Sequence, residues 1–241
     1  RTFLNLNYFK NYKKNSAKKN LKIIEGNRLI SEDLIFTEKD SVLIKNFEEI
    51  RFINNAGIIN NGGYLKIKGN RDWSKIASDK NSNSFLFSKN SEVEIENVSF
   101  SGFSSLNRNI WILPSSFTFY ESVVSIKNST FNSNRFGDDM INFFRCENVL
   151  VKNCSFQDIL SDAVDSDFSK ISITNSSFST IGNDAIDGSG SDISVNNCKF
   201  SHVQDKVISA GENSYLKTSN NFIEFSELGL TVKDGSFLYS E

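Results

Sequence analysis

From residue 93 onward, short runs of alternating apolar and polar residues recur: VEIENVSF, VSIKNSTF, VLVKNCSF, ISITNSSF, ISVNNCKF and LKTSNNFI. Aligned, they place Asn97, Asn128, Asn153, Asn175, Asn197 and Asn220 in one column, and Phe100, Phe131, Phe156, Phe178, Phe200 and Ile223 in another, three residues on. Apolar pairs precede each asparagine, from Val93/Ile95 to Leu216/Thr218. Alternation with period two predicts strands. Recurrence every 22–31 residues predicts a repeat protein whose unit is too short for a helix pair. One turn of a parallel β-helix fits, because successive turns then stack equivalent residues about 4.8 Å apart. Asparagine tolerates the left-handed backbone of a sharp corner, and the phenylalanines form an internal stack. The expected fold is all-β: a single-stranded parallel β-helix over 23–241, with 1–22 as an N-terminal cap or linker. FLYSE at 237–241 opens a further coil with no cap in view, so more domains or subunits are expected there.

Composition agrees. Asn and Ser make up more than a quarter of the 241 residues, and both favour turns over helices. A net charge of -2 gives no electrostatic reason to bind nucleic acid, and no apolar run approaches the ~18 residues of a membrane span. A secreted or cell-surface location suits such a solenoid. One histidine leaves little room for a histidine-based triad or metal site. Cys154 and Cys198 lie two coils apart, about 9–10 Å at strand spacing, too far for a disulfide. All three cysteines are expected to be buried free thiols. The N-x-S/T sequons at Asn97, Asn128, Asn153 and Asn175 fall in the corner column and read as structural.

The candidate chemistry lies in GDDMIN, SDAVDS, NDAIDG and QDKVIS. These align Asp139, Asp162, Asp184 and Asp205 in one column, with Asn142, Asp165, Asp187 and Ile208 in a second. Ile141, Val164, Ile186 and Val207 would point inward. Asp138, Asp167, Asp192 and Glu212 lie close by in sequence. Carboxylates about 5 Å apart raise one another's pKa unless compensated. Such a strip can divide acid and base roles on a glycosidic bond, bind Ca²⁺ through oxygen, or cap backbone N–H groups at corners. No cofactor is required in the first and third cases. A second feature is an overlong coil, 104–123, carrying Trp111, Phe117, Phe119 and Tyr120. It reads either as a sugar-binding loop, with Arg135 or Arg145 on a uronate carboxylate, or as a small satellite core.

Over residues 23–241 the repeat resembles the right-handed parallel β-helix of the pectate-lyase-like superfamily. SDAVDS, GNDAIDG and VQDKVISAG are similar to the three-coil frame of polygalacturonases, N-T-D-G-x-D, G-D-D and G-H-G. That resemblance implies catalytic positions for Asp162 and Asp184, with Asp165 and Asp187 beside them. Apart from that resemblance, the acidic columns and the overlong coil make Asp139, Asp205, Lys206, Trp111 and Arg135 the expected substrate contacts. Asn183 replaces the first acid of G-D-D, Asp205 stands where the family has histidine, and the family's R-x-K clamp is missing. The D-A-x-D coils are also similar to β-helix segments of large bacterial surface proteins, some fused to spore-coat-kinase-like domains. Two functions follow as expectations: binding or cleavage of an acidic polysaccharide at the Asp-rich face, as a glycoside hydrolase or polysaccharide lyase would, or a non-catalytic adhesive solenoid with the aspartates as corner caps.

Overall fold

The computed structural model describes residues 19–70, 74–79, 85–108, 111–134 and 136–240. Among these residues there is no helix; the chain is built from strands alone. They form three sheets of ten, nine and nine strands, all pairing in parallel. Each complete turn gives one strand to each sheet, so nine turns stack along one axis. The strand Phe237–Ser240 begins a tenth, with Leu238 on Leu216 and Ser240 on Thr218. The first described strand, Asn20–Glu25, already pairs in the first sheet. Most of the expected cap lies outside the described residues. The overlong coil is accounted for by an antiparallel hairpin, Leu106–Arg108 with Trp111–Leu113, inserted in the fourth turn between the second and third sheets.

The columns expected from the repeat are vertical neighbours. All six corner asparagines have positive φ, from 49° at Asn128 to 58° at Asn97. Asn153 Nδ2 donates to Asn128 Oδ1 at 3.0 Å, a rung of the amide ladder. Inside, Phe100, Phe131, Phe156, Phe178 and Phe200 form a continuous stack, with ring centroids 4.7–5.2 Å apart and nearly parallel planes. The flanking Val, Ile and Leu pairs are buried with them.

A second ladder, unremarked in the repeat, runs inside the corner between the third and first sheets. Backbone N–H groups of Ser91, Cys146, Ser169 and Ser191 donate to the side chains of Ser122, Ser169, Ser191 and Ser214 on the next turn, at 2.9–3.2 Å. Cys146 takes a serine's place in this series, accepting from the Ser122 N–H at 3.5 Å. Cys154 is similarly placed after the asparagine column, its N–H on Ser176 Oγ at 3.1 Å. All three cysteines are buried free thiols, as expected. Replacing Cys146 with serine is therefore expected to leave stability within about 1 kcal/mol. Cys146→Val strands the Ser122 N–H and should cost ~1–3 kcal/mol, measured by urea unfolding.

Candidate functional site

On the third sheet, strand alternation turns Asn142, Asp165 and Asp187 outward while Ile141, Val164 and Ile186 fill the core, and Asp139, Asp162 and Asp184 sit largely buried at the corner before them. Asp139 pairs with Asp162, Asn142 with Asp165, and Asp165 with Asp187, across the fifth (123–144), sixth (148–167) and seventh (170–189) turns. Asp184 follows Asp162 at the corner, its N–H donating to Asp162 Oδ1 at 2.8 Å. The four residues named as catalytic thus share one face.

The eighth turn (192–211) departs from the alignment by one residue. Ile208 pairs with Ile186 and is buried, while Ser209 pairs with Asp187 in the acidic row but is itself fully buried. In the corner column Lys206 succeeds Asp184: its N–H donates to Asp184 Oδ1 at 2.9 Å and its carbonyl accepts from Ala185. Asp205 instead follows Asn183. This register converts a fourth acid into a cation that closes the column. The Lys206 ammonium lies 3.4 Å from Asp184 Oδ1 and also pairs with Asp205. Asp192 sits on the first sheet and Glu212 at the next corner, so neither joins the strip.

Protonation differs along the strip. Burial pushes Asp139 up to about 9, helped by the charges of Asp165, Asp138, Asp162 and Asp167. Burial also raises Asp162, but the Asp184 N–H and the Asn183 amide stabilise its anion and hold it at about 6. Asp165 is pushed up by burial and by Asp167, against a hydrogen bond from Asn142. Asn142 Nδ2 reaches both Asp165 and Asp167. Asp184 is raised by burial, opposed by the Lys206 N–H and ammonium. At neutral pH, neutral and ionised carboxyl groups therefore stand on adjacent rungs. Asp162 and Asp184 are also corner caps, each accepting a backbone N–H from the following turn.

Outside the strip, the sequence expectations divide. Phe117 and Phe119 are fully buried core residues, stacked among Phe85, Phe100 and Phe143, and do not form a ligand face. Alternation within the strand Phe117–Tyr120 had to send two aromatics one way, and the core took them. The Trp111 side chain and Arg135 lie outside the described residues. A depression of about 410 Å³ lies on the second sheet among Arg51, Lys75, Ser101, Asn134 and Asp158, not over the acidic strip. Among the described residues no group of three His, Cys, Asp or Glu side chains gathers closely enough to hold a metal ion. One feature escaped the repeat alignment. Tyr120 and Phe144 stack at 5.4 Å on the outer face, and Phe168 meets Phe144 edge-on at 6.0 Å.

Three parallel sheets wound around one stacked core define a parallel β-helix. The chain belongs to the right-handed β-helix family: the profile described as "Right handed beta helix region" matches residues 110–241, more than half of the sequence. No curated protein matches it. Among solved structures, the Agl-KA catalytic domain is similar over 91% of this chain at 10% identity, with a TM-score of 0.30. The chain spans 62% of that domain's length. QnrB1, a plasmid-mediated fluoroquinolone resistance protein, is similar over 91% of this chain and 92% of its own at 10% identity, with a TM-score of 0.20. Neither likeness is close enough to carry a functional argument.

Proposed function

We propose that this β-helix binds a polysaccharide along the outer face of the third sheet and cleaves it with the carboxyl groups of the fifth to seventh turns. The observation that carries this reading is the unequal protonation of neighbours on adjacent rungs, Asp139 at about 9 and Asp162 at about 6. Carboxyl groups pushed apart in this way can divide labour, the neutral one donating a proton to the leaving oxygen and the ionised one acting as nucleophile or base. Backbone rungs stack ~5 Å apart, a spacing of the order that retaining glycosidases need between their two carboxyl groups. Asp165 and Asp187 extend the row, and Lys206 offers a cation at its far end. Neutral Asp139 and Asp165 reduce the repulsion an acidic polysaccharide would meet, so a uronate polymer remains the favoured substrate. The reading suits a secreted or cell-surface protein and requires no metal.

The caps made by Asp162 and Asp184 favour a second reading, a non-catalytic adhesive or structural solenoid. Asp162→Asn separates the two, because an amide oxygen can still accept the Asp184 N–H while acid–base chemistry is lost. On uronate and neutral oligosaccharides, reducing-end release by the parent chain should fall at least ~100-fold in Asp162→Asn, with its unfolding midpoint no lower than the parent's. Absence of both cleavage and binding by the parent chain across the panel would leave the structural reading standing.

A further inference from the structure

Beside the carboxyl row, at the corner where the third sheet gives way to the first, the outer face carries Tyr120, Phe144 and Phe168 on three successive turns. The first two rings are occupied: they stack on each other, with Lys89 Nζ 5.3 Å from the Tyr120 centroid and Arg145 Cζ 5.4 Å from that of Phe144. Phe168 differs. It is 55% exposed and touches Phe144 only by a T-shaped contact at 6.0 Å. Its backbone lies in the left-handed region, φ 50°, at a corner filled on other turns by Asn90, Glu121, Arg145 and Gly190. A bulky aromatic is among the least suited residues for that conformation. A polar residue or glycine there would relieve backbone strain and bring little apolar surface into water.

The next turn leaves room for the ring. A Cβ on Gly190, itself at φ 60°, would come within 2.7 Å of Phe168 Cδ1. Phe144 pairs in register with Asp167, the residue before Phe168, and Asn142 ties Asp167 to Asp165. The exposed aromatic residue is thus next in the chain to Asp167, whose carboxyl shares the Asn142 amide with Asp165. This pairing suits a pyranose, whose C–H face packs on an aromatic ring while its hydroxyl rim meets polar groups.

We infer that Phe168, backed by Phe144 and seated over Gly190, is a stacking subsite for one pyranose ring of a glycan whose neighbouring sugars lie along the Asp165–Asp187 row. The inference rests on the glycan reading above and adds where the chain is gripped. Its test uses Phe168→Asn in the full chain, with oligogalacturonate and a neutral cello-oligosaccharide as probes in titration calorimetry, alongside thermal unfolding. A stacking role predicts ~10-fold weaker binding of whichever probe the parent chain binds. It also predicts a melting temperature no lower than ~3 °C below the parent, because asparagine tolerates the corner. Gly190→Ala, which displaces the ring without removing it, should weaken the same probe. Unchanged affinity in both variants overturns the subsite and leaves the glycan reading intact. A large loss of melting temperature in Phe168→Asn also overturns it, by making Phe168 a packing residue. If the parent chain binds neither probe, the glycan reading falls and the subsite with it.

Discussion

Replacing Phe156 with alanine is expected to cost about 3–5 kcal/mol, a large fraction of a domain's stability. Phe156 is fully buried and stacks on both neighbours, 4.9 Å from Phe131 and 4.7 Å from Phe178. Its removal deletes a large transfer term and opens a cavity between rings that cannot close, because strand pairing holds each turn at a fixed height. Position along the axis matters as much as burial. In a solenoid each turn is stabilised mainly by its two neighbours, so a defect in the middle weakens coupling between two halves. Phe200→Ala should cost less, since Phe200 has Phe178 on one side at 4.9 Å and the partly exposed Ile223 on the other. Denaturant unfolding of both variants checks the ordering. A Phe156→Ala loss below ~1 kcal/mol, or a larger loss at Phe200, would contradict a core held by continuous stacking.

Much of this structure was legible in the sequence because a solenoid translates chain separation into height. Once Asn153 and Asn175 were aligned, the pairing of Val149 with Ile171 and of Phe156 with Phe178 followed. So did the gathering of Asp162, Asp165 and Asp187 on one face. Register within a turn was less legible. QDKVIS offers an aspartate where the preceding turn has one, but the chain places Lys206 there instead. That choice lets a cation meet the Asp184 carboxylate and puts Ile208 rather than Val207 on Ile186. Identity matching cannot see this, because the gain is electrostatic and arises only between turns. The Tyr120–Phe144–Phe168 cluster was hidden for a similar reason: Tyr120 and Phe144 pair in register, but on the next turn that place is held by Asp167 and the aromatic stands one residue later, at the corner. Phe117 and Phe119 misled in the opposite sense, their place in an overlong coil suggesting a loop when their strand belongs to the core.

Asp139 should make the protein more stable in mild acid than in mild base. In the unfolded chain its carboxyl ionises near 3.8, whereas in the folded protein burial and neighbouring aspartates push it up to about 9. Folding therefore takes up a proton between those values, and stability falls as pH rises through that window. The contribution of this group is full below about pH 4 and is lost progressively towards pH 9. Asp162, Asp165 and Asp184 are raised too and act with the same sign. Asp40 works in the other direction: the Thr37 N–H and the Lys22 ammonium lower it, so its contribution is present above about pH 4 and is lost as pH falls further. The expected optimum lies near pH 4–5, where both kinds of group are satisfied. Asp139→Asn keeps the shape and removes the titration. It should match the parent near pH 4 and exceed it progressively above, by at most ~4 kcal/mol at pH 7, since each unit of pH in the window weighs 1.36 kcal/mol. Melting temperatures of the two chains across pH 4–9 should therefore diverge upward. Parallel curves would mean that Asp139 is ionised in the folded protein, and the proton donor assigned to it would have to be sought at Asp165.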